Sequence, residues 1–189
     1  MVLGLGGTSL IMEQFDPEQS LALIERYKAT HSQWVPIMFV RMLKLPENAR
    51  TQYDLSSMKC AIHAAAPCPK EIKQQMMRWW GPILWEYYAG TERNGTCVIG
   101  PQDWLAHPGS VGRAYNSVLR ICDESGEELP AGEEGMVYFE QSVRSFEYHN
   151  APDKTQSATH PIHDNWTSLG DVGYVDEEGF LYLTDRKAY

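Results

Sequence analysis

The run Trp85-Glu86-Tyr87-Tyr88-Ala89-Gly90-Thr91-Glu92 leaves an apolar stretch and passes through small residues into a polar cluster. In α/β sheets, ligands sit at the carboxyl ends of strands, so chemistry is expected at such a transition. Tyr88 offers a flat ring for a base, Thr91 a hydroxyl for a phosphate oxygen, and Glu92 a carboxylate for Mg2+. Ala89 and Gly90 let the backbone approach a ligand closely. The same run also fits an ordinary strand-to-loop turn with a surface glutamate.

Two further segments have comparable chemistry. Ala64-Ala65-Ala66-Pro67, after His63, ends another apolar run and leaves backbone amides and carbonyls open to whatever lies above them. Tight helix-sheet packing explains those small residues equally well. In Leu169-Gly170-Asp171-Val172-Gly173, Asp171 stands between glycines, where a carboxylate could chelate adjacent sugar hydroxyls, as the acid of dinucleotide sites does. A plain turn aspartate is the alternative. Two other runs carry less. Gly4-Leu5-Gly6-Gly7-Thr8-Ser9 lacks the glycine spacing and the Gly-Lys-Ser/Thr ending of phosphate loops. In His160-Pro161-Ile162-His163, the proline breaks any helix that would pair the two imidazoles.

These segments must be held by a scaffold, and its periodicity changes midway. Val2 to Phe15 reads as a buried strand and its approach. Asp16-Pro17-Glu18 then supplies an N-cap, a first-turn proline and a first-turn acid, ahead of a helix on Leu21, Ile24 and Tyr27. Strands follow at 32–37, 57–65 and 83–87, with helices around Phe39 to Leu45 and over 69–80, the last with Ile72, Met76 and Trp79 on its apolar face. That alternation predicts a largely parallel sheet covered by helices. From Gly109 onward the runs are short and β-like, at 118–122, 135–140 and 179–184, with acidic turns between them. The expected fold is a parallel-sheet α/β subdomain over 1–107 and a small, barrel-like all-β subdomain over 108–184, with 185–189 opening a hinge.

Composition narrows the function classes. The 189 residues are 43% hydrophobic and 22% charged, enough to bury a globular core without disulfide or metal staples. The net charge is −9, and residues 96–189 hold 16 of the 25 acidic side chains. Such a chain repels polyanions, which disfavours nucleic-acid partners and anionic lipid surfaces. No window approaches the length of a membrane-spanning helix. The absence of a basic residue before Arg26 argues against a leader and points to the cytoplasm. Cys60, Cys68, Cys97 and Cys122 form neither a C-x-x-C pair nor a zinc pattern and read as mostly buried small hydrophobes.

Taken in order, the three segments resemble the motifs of the AMP-binding superfamily of adenylate-forming enzymes, in particular its acyl-CoA synthetases. Tyr88-Ala89-Gly90-Thr91-Glu92 is similar to the family's Tyr-Gly-x-Thr-Glu run, Ala64-Ala65-Ala66-Pro67 to its small-residue adenine segment, and Leu169-Gly170-Asp171 to Thr-Gly-Asp. Asp185-Arg186-Lys187 is similar to the Gly/Asp-Arg pair before the interdomain hinge, and Gly109-Ser110-Val111-Gly112-Arg113 fits the connecting text.

The resemblance implies that Tyr88 stacks on adenine while residues 64–67 line the base. It further implies that Ala89 and Gly90 shape the turn, Thr91 bonds the α-phosphate and Glu92 holds Mg2+, with Asp171 gripping the ribose and Arg186 assisting. Thr91 and Glu92 would be the catalytic pair. The implied reaction converts a carboxylic acid, most simply a fatty acid, and ATP to acyl-AMP, then passes the acyl group to coenzyme A. Ala89 and Leu169 depart from the family's usual glycine and threonine. The phosphate-clasping loop and the lysine-bearing C-terminal domain would lie before Met1 and beyond Tyr189, so the chain is expected to be a fragment, inactive without those partner segments. A non-catalytic module binding an adenylate or acyl ligand is the rival class; it would keep Tyr88 and Asp171 but have no need of Glu92.

Overall fold

The computed structural model describes residues 2–187. The first helix, α1 (Pro17–Tyr27), begins as its sequence dictates: the Asp16 carboxylate accepts from the Gln19 amide at 2.7 Å, and Pro17 occupies the first turn. There follow β1 (His31–Trp34), α2 (Pro36–Leu43), α3 (Glu47–Thr51), β2 (Cys60–His63), α4 (Lys70–Trp80) and β3 (Leu84–Ala89). Then come β4 (Thr96–Ile99), α5 (Pro101–Ala106) and β5 (Arg113–Ala114). These strands form one sheet in the order β1-β2-β3-β4-β5.

The α/β class stands, but the sheet is mixed. β1, β2 and β3 run parallel, whereas β4 and β5 are antiparallel additions. For β4 the cause is the link over 90–95, because a parallel crossover needs about a dozen residues or more and a shorter link can only turn back.

The second sheet is wholly antiparallel. It comprises β6 (Val118–Cys122), β7 (Gly135–Glu140), β8 (Trp166–Thr167), β9 (Asp171–Val175) and β10 (Leu181–Arg186), with α6 (Pro152–Ser157) between β7 and β8. Its order is β10-β9-β7-β6, with β8 paired to β7.

Residues 2–15 do not form the expected strand. They make one 3-10 turn, Leu3–Leu5, which Gly6 closes in the left-handed region at φ 74°, and then run on as coil, exposed except at Met12 and at Phe15, which packs against Trp34. The backbone there bonds to itself, Gly6 to Leu3 and Gly7 to Val2, rather than to a neighbouring ladder. Apolar composition alone does not make a strand; backbone pairing must be available.

Two cores hold the molecule. The first lies between the helices and the mixed sheet and contains Phe39, Met42, Met76, Leu84, Trp104 and Phe180. The second contains Cys97 of β4 with Ile121, Val137, Phe139 and Leu181 of the other sheet, and Tyr88 packs against it. Burial therefore joins the sheets beside the end of β3. Gly95 allows that join, since a Cβ there would collide with the Phe139 ring.

Candidate active site

Parallel register brings the first two segments together. His63 pairs with Glu86 across β2 and β3, so Ala64 to Pro67 leave the sheet beside Tyr87, while β3 runs on along β4 to Ala89 before the chain turns at Gly90. Ala64 is buried, whereas Ala65, Ala66 and Pro67 form a low exposed rim. Ala65 adopts φ 74°, in the left-handed region that disfavours a Cβ. Ala65→Gly should raise stability by about 0.5–1 kcal/mol, the relieved strain outweighing the entropy of an added glycine. Ala64→Gly should lower it by a similar amount. Urea unfolding of the two variants would separate these effects, and equal losses would mean that the turn carries no strain.

The third segment arrives from the second sheet. Asp171 opens β9 and is 7% exposed. The Tyr88 hydroxyl, 83 residues away in sequence, donates to Asp171 Oδ2. Arg186 faces Asp171 across the β9–β10 ladder, with Nε 3.5 Å from Oδ1. The Arg186 side chain is 69% exposed, so solvent screens that pair and it contributes little. Burial and then the Asp171 carboxylate push the Tyr88 phenol well above its usual pKa, which keeps it a donor. Tyr88 also lies against Phe139, with ring centroids 6.1 Å apart. The Lys187 amide donates to the Gly170 carbonyl at 2.7 Å, tying the end of β10 to the Asp171 turn.

Between these groups lies the 90–93 turn, closed by the Arg93 amide donating to the Gly90 carbonyl at 3.2 Å. A Cβ at Gly90 would strike the Leu169 side chain and crowd Glu92 Oε2, so both side chains would have to move. Thr91 is exposed and Glu92 half-buried. Tyr88, Asp171 and Arg186 thus converge through direct contacts. Ala64 to Pro67, Ala89, Gly90, Thr91 and Glu92 border them along the adjoining strand ends.

Sequence reasoning missed a buried cluster beneath this edge. The Lys73 ammonium on α4, 0% exposed, contacts Glu86 Oε2 at 2.6 Å, and His63 Nε2 stands 3.4 Å from the same oxygen. Lys73 also lies over the Trp104 ring, 4.9 Å from its centroid. The expected apolar face of α4 is rotated accordingly, with Lys73, Met76 and Met77 inward. Burial pushes Lys73 down and Glu86 up, each toward neutrality, and their mutual contact opposes both shifts. Burial and the nearby Lys73 charge push His63 down to about 3. A helical period gives no hint that a lysine faces inward; only the carboxylate two residues before Tyr88 could have suggested it. Tyr148 was missed as well. Its hydroxyl donates to Glu92 Oε1 at 3.0 Å from a stretch without periodicity.

A family model described as AMP-binding enzyme matches residues 1–144. The chain is 31% identical over 185 residues to a long-chain-fatty-acid–CoA ligase of Bacillus subtilis, covering 97% of this chain and 32% of that protein. It is also 31% identical over 186 residues to the 4-coumarate–CoA ligase-like 6 protein of Oryza sativa subsp. japonica, covering 96% of this chain and 30% of the relative. The amide bond synthetase McbA of Marinactinospora thermotolerans superposes with TM-score 0.83 at 30% identity, over 97% of this chain and 37% of McbA. The chain thus spans about a third of the length of these curated relatives. With the family match extending over most of its length and through the Tyr88 turn, this chain belongs to the AMP-binding enzymes.

Proposed function

We propose that the chain forms the AMP-side part of an acyl-CoA synthetase working in the cytoplasm on a carboxylic acid. A fatty acid is the acid class that the Bacillus subtilis relative takes by its name. One observation carries this reading: Tyr88 and Asp171, from different sheets, meet beside the Gly90–Glu92 turn. An aromatic face and a carboxylate acceptor thereby stand together, next in sequence to the Thr91-Glu92 turn that this reading assigns to the phosphates.

In the proposed reaction a substrate carboxylate oxygen attacks the α-phosphorus of ATP, and pyrophosphate leaves. The thiol sulfur of coenzyme A then attacks the acyl carbon, sheds its proton, and displaces AMP. Tyr88 presents its ring to adenine above the 64–67 rim, while Asp171, assisted by Arg186, accepts from the ribose hydroxyls. Thr91 donates to an α-phosphate oxygen. Preorganised donors of this kind stabilise charge that grows only in the transition state.

Glu92 is the carboxylate for Mg2+. A single half-buried carboxylate suits Mg2+, which is usually held by one or two carboxylates together with substrate phosphates rather than by an all-protein cage. Held there, Mg2+ would supply positive charge to offset that of the phosphates. Coenzyme A, the acid and ATP are then the small-molecule partners, and the further segments that the relatives possess would complete the activity.

The test is binding by this chain alone. AMP at about a hundredfold excess over its dissociation constant should add about 2.7 kcal/mol of stability, visible as a raised melting point. Acid-dependent pyrophosphate release from ATP should meanwhile be absent with medium and long fatty acids. An unmoved melting point at millimolar AMP would count against the site. Turnover comparable to that of a full-length synthetase would remove the need for further segments.

A further inference from the structure

Glu92 is held from a distance. Tyr148 lies between β7 and α6, and its hydroxyl donates to Glu92 Oε1 at 3.0 Å across 56 residues of sequence. The tyrosine is itself fixed. Phe146 packs edge-on against its ring with centroids 5.1 Å apart, and Lys154 Nζ stands 4.3 Å from the ring centroid. The Tyr148 amide donates to Thr155 Oγ1 at 2.9 Å, and that hydroxyl donates to the Ala151 carbonyl at 3.1 Å. Thr155 is buried in α6, so the ring is anchored to a structured element. The other carboxylate oxygen, Oε2, lies over Gly90, where any Cβ would crowd it.

A glutamate has three rotatable bonds and two equivalent oxygens, so it does not by itself present a defined oxygen to a ligand. Occupying one oxygen with a fixed donor selects the other. We propose that Tyr148 is a positioning residue: it holds Oε1 of Glu92 and leaves Oε2 on the Gly90 side for the Mg2+ that accompanies the nucleotide phosphates. The proposal rests on the reading of Glu92 as the metal carboxylate. It makes the stretch between β7 and α6 part of the nucleotide site, although that stretch contains none of the motif residues. Partners outside the ligand shell set ligand orientation and are typically worth about 10–100-fold in metal affinity.

The variant Tyr148→Phe removes only the hydroxyl and keeps the half-buried ring in place. At fixed ATP, Mg2+ is titrated into the 189-residue chain, and the midpoint is read from the heat of nucleotide binding. In Tyr148→Phe that midpoint should rise by about tenfold or more. ATP affinity in excess EDTA, and the melting point, should stay within twofold and a degree or so of the unmodified chain. Glu92→Gln should abolish the Mg2+ response. An unchanged midpoint in Tyr148→Phe, with the response lost in Glu92→Gln, would overturn the positioning role and leave Glu92 in place. A full response in Glu92→Gln, or none in the unmodified chain, would instead overturn the reading of Glu92, and this proposal with it.

Discussion

Glu86→Ala should destabilise the chain by about 3–5 kcal/mol, the usual cost of stranding one partner of a buried ion pair. That is a large share of the roughly 5–15 kcal/mol that holds a typical domain folded. The cost arises because Lys73 is 0% exposed and its closest counter-charge, 2.6 Å away, would be gone. The Trp104 face that remains cannot replace a carboxylate. The double variant Lys73→Met, Glu86→Leu removes both charges, and such replacements are commonly neutral or stabilising. Urea unfolding of the two variants should therefore rank the double above the single. A single-variant loss below about 1 kcal/mol would mean that water reaches Lys73.

The same cluster sets an acid limit. His63 is depressed from 6.5 to about 3, so the folded protein keeps it neutral while the unfolded chain takes up a proton near pH 6.5. Its contribution is complete above that pH and is lost as the pH falls toward 3, with a slope approaching about 1.4 kcal/mol per unit. In His63→Leu that part of the slope should vanish.

The charged cluster also marks where the sequence stops being legible. Local signals worked where local chemistry decides structure. The Asp16-Pro17 start of α1 and the β6 and β7 runs, at Val118–Cys122 and Gly135–Glu140, lie where capping and apolar runs put them. The β4 strand and α5 were missed because Thr96–Ile99 is only four residues long and glycine-bounded. Its pairing with β3 is a tertiary fact, forced by the short link after Gly90. Residues 2–15 failed in the opposite sense, since they are apolar but find no ladder. In the candidate site, Tyr88, Asp171 and Arg186 could be named from motif order, but their contacts could not. Tyr148 and Lys73 were illegible for one shared reason. Each takes its place from a partner far away in sequence, Glu92 or Glu86, and neither periodicity nor composition encodes such a pairing.

Asp171→Asn should weaken AMP binding by about tenfold or more while barely moving the melting point without ligand, because one charge-assisted hydrogen bond is worth about 1.5–3 kcal/mol. The geometry makes this a demanding case, since Oδ2 already accepts from Tyr88 and Oδ1 faces Arg186. A carboxylate has about four acceptor positions, so two ribose hydroxyls can be added without displacing Tyr88. An asparagine retains one carbonyl oxygen, which can still take the Tyr88 bond; what it loses is the second acceptor and the charge. Tyr88→Phe should accordingly cost less affinity than Asp171→Asn, because it keeps the ring and frees an acceptor. Arg186→Ala should cost less still, its side chain being 69% exposed. The unmodified chain should prefer AMP to 2′-deoxy-AMP, and Asp171→Asn should erase most of that preference. A structural aspartate gives the reverse pattern, with stability lost on substitution and affinity kept. Equal binding of AMP and 2′-deoxy-AMP to the unmodified chain would leave the Tyr88–Asp171 bond as a latch between the two sheets, with the ribose held elsewhere.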